Sequence, residues 1–168
     1  MKLSKNIFGY FVGIFVFLCL IPVLIYLVST HFVAPIDSFV AFVLAYLCIF
    51  VGVVFMLWSN IYMVRVGRGC PTDGFNVSLG ERTKKLLIAG PYRFTRNPML
   101  FGTFVFYLGL ALLCNSYYAL LIPIIFITYM LWHIKKFEEP RLQKDFKEEY
   151  LHYKRTTPLL FPKIKLGK

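Results

Sequence analysis

The residues best suited to chemistry form two clusters that lie far apart in the chain. The first is the basic, turn-rich segment 90–98, Gly-Pro-Tyr-Arg-Phe-Thr-Arg-Asn-Pro, and the second is the carboxylate pair Glu138-Glu139. Glycine tolerates a positive φ and proline fixes its own φ, so such a loop can turn backbone amides toward a ligand. Apolar segments separate the clusters, which places both at a boundary between water and lipid. This arrangement would suit a charged, soluble cofactor that meets a lipophilic substrate.

The composition predicts that these clusters belong to a membrane protein. Of the 168 residues, 58% are hydrophobic and only 16% are charged, whereas a soluble domain is nearer half apolar and a quarter charged. We expect one membrane domain over residues 1–168. The four cysteines show no paired spacing, so we predict neither a disulfide framework nor a metal site.

Four apolar segments are candidates to cross the bilayer, which is about 30 Å thick in its hydrocarbon layer. The first contains no charge and exceeds the roughly 7–15 apolar residues of a signal peptide, so we expect a retained helix. Its Pro22 would need a neighbouring helix to satisfy the carbonyl that it frees. The predicted spans are about 7–28, 39–64, 99–114 and 117–134.

Short turns set the packing that we expect between these spans. Asp37 or Ser38 would cap the second helix, and a join of only two residues makes the third and fourth spans an antiparallel hairpin. Gly102 and Gly109 fall on one face of the third helix and would permit close packing. At its start, Asn97 is a suitable N-cap and Pro98 suits the first helical position.

The basic residues predict the orientation. All 19 Lys and Arg residues lie before the first span, in the segment 65–97, or near and beyond the end of the fourth span. Four spans put these regions on one side, which the positive-inside rule makes cytoplasmic. We therefore expect both termini, the loop 65–97 and the tail 135–168 in the cytoplasm. The membrane would be the plasma membrane of a prokaryote or the endoplasmic reticulum of a eukaryote.

The net charge of +11 is best explained by attraction to anionic lipid headgroups. Nucleic-acid binding would need basic residues interleaved with aromatic ones on a soluble fold, so we predict no nucleic-acid partner. In the tail, Leu142, Phe146, Tyr150 and Tyr153 recur at helical spacing, which is typical of an amphipathic helix. The predicted fold is thus an all-α integral membrane protein with four transmembrane helices, a C-terminal helical hairpin, a long cytoplasmic loop and a C-terminal amphipathic helix.

Taken together, these motifs resemble one family. Gly-Pro-Tyr-Arg at 90–93, Arg-Asn-Pro-Met at 96–99 and Glu-Glu-Pro at 138–140, in this order around a hairpin, are similar to the superfamily of isoprenylcysteine carboxyl methyltransferases and phospholipid methyltransferases. The similarity covers roughly Arg65 to Pro162 and includes Leu142, Phe146, Glu149, Tyr150, Tyr153, Pro158 and Pro162. It implies S-adenosylmethionine as the methyl donor, bound from the cytosol between the loop and the segment after the hairpin.

The resemblance also implies which residues bind the donor. On this basis Glu138 and Glu139 would offer a carboxylate to its ammonium group or ribose. The chemistry of the donor agrees, since its own carboxylate needs a cation or amide donors, which Arg93, Arg96 and the loop backbone could supply. The donor pocket would be lined by Gly90, Pro91, Tyr92, Arg96, Asn97 and Pro98.

Three positions depart from the family pattern. Asn97 and Leu100 stand where the family usually has His and Tyr, and Lys147 stands where a glycine often follows the phenylalanine. We expect Asn97 to keep a capping side chain. The loss of a hydroxyl at Leu100 removes any contact made by the family's tyrosine, and Lys147 would lengthen the amphipathic helix.

The acceptor of the methyl group is left open by the residues. A carboxylate acceptor would want a cation, for which Arg96 and Arg155 are the catalytic candidates. A thiol or amine would first lose a proton, with help from Tyr92, Tyr150, Tyr153 or a carboxylate. The implied partners are a lipophilic small molecule or lipid-modified substrate and membrane lipids, and the sequence does not determine the oligomeric state.

Two other functions compete with methyl transfer. An NADPH-dependent lipid or sterol-type reductase shares a similar hairpin, but the chain has no GxGxxG motif of the dinucleotide-binding type. A non-catalytic membrane adaptor that binds lipids through its cationic face would need neither the turn-rich loop nor the carboxylate pair.

Overall fold

A computed structural model describes residues 15–32, 35–36, 38–67 and 85–163, and all regular structure within these ranges is helical. The first eight residues of the first predicted span, the cap at Asp37, most of the loop 65–97 and the last five residues of the tail lie outside these ranges. The helices are α1 (Phe15–His31), α2 (Phe39–Gly67), α3 (Pro98–Leu113), α4 (Leu121–His133) and α5 (Glu139–Thr156).

Among the described helical segments, two are long and apolar enough to cross a membrane. They are α2 and the continuous stretch Tyr118–Thr156, which runs through α4, a π-helical turn at Ile134–Glu138 and α5. Helices α1 and α3 are apolar but shorter. The all-α prediction is therefore confirmed, whereas the count of four spans stays a prediction.

Helices α2 and α3 pack antiparallel through glycines. A Cβ atom added at Gly52 would lie 2.7 Å from the carbonyl oxygen of Gly102, and one added at Gly109 would lie 2.7 Å from the carbonyl oxygen of Ala45. These distances leave no room for a side chain, so the two backbones touch directly. The prediction that Gly102 and Gly109 permit close packing is confirmed, and the helix that approaches them is α2.

The proline in α1 is accommodated by a neighbouring helix, as predicted. The helix begins with a π-helical turn, Phe15–Leu20, in which the carbonyl of Phe17 would pair with the residue five positions on. That residue is Pro22, which has no N–H. The buried Tyr107 of α3 donates its hydroxyl to the Phe17 carbonyl at 2.7 Å instead.

The turns that join α1 to α2 and α3 to α4 meet at one end of the bundle. The N–H of Ile36 donates to the side-chain oxygen of Asn115 at 3.0 Å, and the hydroxyl of Ser116 donates to the carbonyl of Phe32 at 3.2 Å. Ser38 caps α2, since its hydroxyl accepts from the N–H of Ala41 at 3.5 Å. The candidate clusters therefore lie together at the opposite end.

Two small groups of buried apolar side chains stabilise the bundle. The first holds α1 against α3 and the turn before α4, and the second joins α3, α4 and the tail near the candidate clusters. The first comprises Ile25, Tyr107, Ala111 and Ala119, and the second comprises Leu100, Ile127, Ile134 and Leu160.

The amphipathic helix α5 is interrupted at Lys147, contrary to prediction. Lys147 has φ 46° and ψ −124°, which is non-helical backbone that glycine adopts more easily than other residues. The lysine therefore does not lengthen the helix, because this position requires the backbone conformation that a glycine would supply. Tyr150 and Tyr153, after the interruption, are both buried.

Candidate functional site

The loop of the first cluster begins with a tight turn against α2. Gly90 has φ 61°, and a Cβ atom there would lie 2.6 Å from the ring of Tyr62. Both the backbone conformation and the close ring therefore require glycine. The 3₁₀ turn Gly90–Arg93 follows and buries Pro91 and Tyr92.

The C-terminal segment after α5 runs beside this loop and is joined to it by main-chain hydrogen bonds. The N–H of Arg96 donates to the carbonyl of Pro158 at 2.9 Å, and the N–H of Lys163 donates to the carbonyl of Phe94 at 2.9 Å. We call residues 157–163 the strap. The strap holds the loop in place at the end of the bundle.

Side chains of the loop add to this connection. Thr95 is buried, and its hydroxyl donates to the carbonyl of Leu159 at 3.2 Å. The side-chain amide of Asn97 donates to the same carbonyl at 3.1 Å. Asn97 therefore occupies the N-cap position before Pro98 but makes no side-chain capping bond, so the capping role predicted for its side chain is wrong. The side-chain amide of Asn97 instead binds the strap through the carbonyl of Leu159.

Arg96 links the loop to the second cluster. Its Nη1 donates to Oε1 of Glu139 at 2.6 Å and to the hydroxyl of Tyr150 at 3.0 Å, while its Nε donates to the carbonyl of Thr157 at 3.1 Å. The other oxygen of Glu139 accepts from Lys154 at 2.6 Å. The Arg96 and Glu139 side chains are each 10% exposed, so this is a buried ion pair with a second cation at its edge.

These contacts keep Glu139 ionised. Burial alone would raise the pKa of its carboxyl, but the hydrogen bonds and positive charges of Lys154 and Arg96 outweigh burial and lower it. Both carboxylate oxygens thus already have cationic partners. Glu139 is suited to orienting Arg96 rather than to receiving a ligand directly.

Glu138 is partly exposed, unlike Glu139, and its negative charge acts on Tyr92. Burial, with the negative charge of Glu138 as a second cause, raises the pKa of the Tyr92 hydroxyl. Tyr92 Oη is buried and has no hydrogen-bond partner in the part of the chain that the structure describes. The backbone of Tyr92 is fixed, because Tyr153 donates its hydroxyl to the Tyr92 carbonyl at 2.6 Å. The charge of a carboxylate therefore reaches a buried tyrosine hydroxyl of the loop.

The tyrosines of the site stay protonated at neutral pH. Burial raises the pKa of Tyr92, Tyr150 and Tyr153 above the ordinary value, since a phenolate is poorly stabilised away from water. Such hydroxyls can donate hydrogen bonds and orient a ligand, whereas the phenolate needed for a base is disfavoured.

The remaining cations are peripheral. Arg155 is exposed and makes no hydrogen bond or ion pair with other described residues, so no described contact draws it into the site. Arg93 is also exposed, with its guanidinium 5.0 Å from the ring centroid of Phe94. Lys154 was not identified from sequence, although its position four residues after Tyr150 places both on one helix face.

The structure thus joins the loop 90–98 to the second cluster through Arg96, and the negative charge of Glu138 acts on the buried hydroxyl of Tyr92. A carboxylate and a buried hydroxyl can bind a ligand that carries a positive charge and hydrogen-bond acceptors. The backbone amides of the loop contribute little, because those of Tyr92, Phe94, Arg96 and Asn97 already donate to acceptors within the protein. The predicted binding and catalytic roles of the individual residues stay predictions.

Comparison with known proteins shows the family of the chain. The family model for phospholipid methyltransferases matches residues 40–149, which include α2, the loop 90–98, the hairpin and both glutamates. No curated protein and no solved structure matched the chain. Since the match covers well over half of the 168 residues, the chain belongs to the phospholipid methyltransferase family, within the superfamily of membrane methyltransferases that its motifs resemble.

Proposed function

We propose that this protein transfers a methyl group from S-adenosylmethionine to a lipophilic or membrane-associated acceptor at the cytoplasmic face of a membrane. The observation that carries the proposal is the contact between the loop 90–98 and the carboxylate cluster, made by Arg96 and Glu139 at 2.6 Å. Family membership supports methyl transfer to lipid-type substrates. The geometry adds a place where a charged donor could bind.

The groups at this place fit the methyl donor. Glu138 is partly exposed and would pair with the ammonium group of the donor, whereas Glu139 would hold Arg96 in position. The buried hydroxyl of Tyr92, which lacks a partner among the described residues, would donate to an oxygen of the donor. Gly90, Pro91, Asn97 and Pro98 would complete the lining of the pocket.

When bound, S-adenosylmethionine supplies a methyl group on a positively charged sulfur. Methyl transfer is an in-line displacement, so much of the catalysis can come from holding the acceptor atom and the methyl group close and aligned. The buried Arg96–Glu139 pair and the strap would keep the loop rigid for this purpose. A carboxylate, thiol or amine acceptor is compatible with the site, and Arg96 and Arg155 are the candidate cations for a carboxylate.

We also propose four membrane spans, with both termini in the cytoplasm. Two observations support this topology: α1 and α3 are apolar helices, and the two polar turns meet at the end of the bundle opposite the candidate site. The basic residues then lie on one side. A lipophilic acceptor would enter sideways between helices, which avoids its transfer through water.

Incubation of membranes that contain the protein with methyl-labelled S-adenosylmethionine would test the function. The expected result is a labelled, lipid-extractable product whose formation is abolished by Glu138→Ala. A soluble acceptor analogue without the lipid portion should react poorly, and an equal rate would contradict sideways entry. Saturable binding of NADPH without binding of S-adenosylmethionine would instead favour the reductase, and binding of neither would favour the adaptor.

A further inference from the structure

The end of α2 near the candidate site carries a second feature, a shallow open groove with a volume of about 330 Å³. Among the described residues, those that line the groove all belong to this helix and comprise three apolar side chains, one amide and one guanidinium. The lining residues are Leu57, Asn60, Ile61, Val64 and Arg65.

This groove lies on the side of α2 that faces away from α3. The buried residues Ala45, Gly52 and Ser59 recur every seventh residue and mark the face packed against α3. An α-helix turns about 100° per residue, so Ile61, two residues after Ser59, points to nearly the opposite side. In a membrane this side would face lipid, and it is not the side on which Tyr62 contacts the loop 90–98.

The chemistry of the groove changes along the helix. Leu57, Ile61 and Val64 recur at i, i+4 and i+7 and present an apolar strip. Asn60 adds hydrogen-bond donors beside this strip, and Arg65 adds them at its end. Arg65 is exposed and has no acidic partner among the described residues. Trp58 lies one helical turn before Tyr62, with its ring centroid 6.1 Å from that of Phe94, so it borders the groove from the side of the loop 90–98. It is 40% exposed, and an exposed tryptophan is typical of the headgroup level of a bilayer.

The geometry points to a binding site for one anionic phospholipid on α2, separate from the site of methyl transfer. The phosphate would accept hydrogen bonds from Arg65 and Asn60, and one acyl chain would lie along Leu57, Ile61 and Val64. Charge complementarity selects this occupant, since a zwitterionic lipid offers Arg65 the same phosphate but also brings a positive headgroup that Arg65 repels.

Fluorescence quenching of Trp58 would test this site in the absence of any methyl donor, so that its failure is distinguishable from failure of the proposed function. The purified full-length Trp132→Phe protein retains Trp58 as its single tryptophan and would be placed in nanodiscs with brominated acyl chains on either phosphatidylglycerol or phosphatidylcholine. We expect quenching at a lower mole fraction of the anionic lipid. Arg65→Gln should lower the preference for the anionic lipid by about fivefold, which is the contribution of one basic residue near the surface. Arg65→Lys keeps the charge and should retain most of the preference.

Lys135→Gln is the matched control, because Lys135 is an exposed basic residue near the same boundary but outside the groove. If Lys135→Gln lowers the preference as much as Arg65→Gln does, general surface charge accounts for it and the site is refuted. Equal quenching by both lipids in the parent protein also refutes it. Glycerol phosphate in solution should not compete, and competition by it would show that a free phosphate, rather than a lipid, is the ligand.

Discussion

Replacing Glu139 with glutamine should destabilise the protein far more than the same change at Glu148, an exposed carboxylate on the same helix. Glu139 receives charged hydrogen bonds of 2.6 Å from Arg96 and from Lys154. Removing one partner of a buried ion pair costs about 3–5 kcal/mol. The side chain of Lys154 is 40% exposed, so its ion pair with Glu139 should contribute only about 0–1 kcal/mol to the stability. Most of the lost stability therefore comes from leaving Arg96 buried without its carboxylate partner.

Thermal unfolding in detergent measures this prediction. A loss of about 3–5 kcal/mol would lower the Tm of a chain of this size by roughly 6–20 °C, while Lys154→Met should lower it by no more than about 4 °C. Glu148→Gln, which alters an exposed carboxylate on α5, is the matched control and should leave the Tm nearly unchanged. The reasoning is refuted if Glu139→Gln is as stable as the parent, or if Lys154→Met costs as much as Glu139→Gln.

The same pair predicts a pH dependence. Because the pKa of Glu139 is lowered on folding from an ordinary value of 4.5, the unfolded state takes up its proton first as the pH falls. The stabilisation is fully present above the ordinary value and is lost as the pH falls through the lowered pKa. The difference in Tm between the parent and Glu139→Gln should therefore shrink on acidification below 4.5, and a difference that stays constant down to the acid limit of the fold would contradict this assignment.

Three further substitutions should change the Tm through the backbone and the helix contacts. Lys147→Gly should stabilise the protein by about 1 kcal/mol, because glycine adopts the positive φ of 46° with less strain. Tyr107→Phe should cost about 0.6–1.7 kcal/mol, because the Phe17 carbonyl loses its hydrogen bond within the bundle. Gly52→Ala should cost about 1–3 kcal/mol, because the new methyl group would lie 2.7 Å from the carbonyl oxygen of Gly102.

Thermal unfolding could contradict each of these three predictions in a different way. Lys147→Ala is the control for the first, and an equal gain from alanine would show that loss of the lysine side chain, not backbone strain, is responsible. An unchanged Tm in Tyr107→Phe would mean that the Phe17 carbonyl is satisfied in another way. If Gly52→Ala is tolerated while Val54→Ala, on an exposed position of the same helix, is not, close packing of α2 on α3 is contradicted.

The sequence predicted the helices and their glycine contacts well because these depend on local patterns. Uninterrupted apolar runs, the cap at Ser38 and the spacing of Gly102 and Gly109 are visible within a few turns of helix. The need for a partner at Pro22 was also predictable, since proline always removes a donor. That Tyr107 supplies the hydrogen bond was not, because it depends on how α1 lies against α3.

The site shows where local patterns stop being informative. The sequence identified Arg96 and the two glutamates, but their different environments depend on contacts between distant segments. Lys154 reaches Glu139 only after α5 has been interrupted at Lys147, and the strap takes the amide of Asn97 away from the helix end. Long-range packing therefore determines which of the two carboxylates pairs with Arg96.

Isothermal titration of S-adenosylmethionine into the detergent-purified protein tests the central claim most directly. We predict saturable binding that Glu138→Gln weakens in a protein that remains folded, while Glu148→Gln, which alters an exposed carboxylate on α5, leaves binding unchanged. An absence of saturable binding to the folded protein, or equal affinities for the parent and Glu138→Gln, would contradict the proposal that this cluster binds the methyl donor.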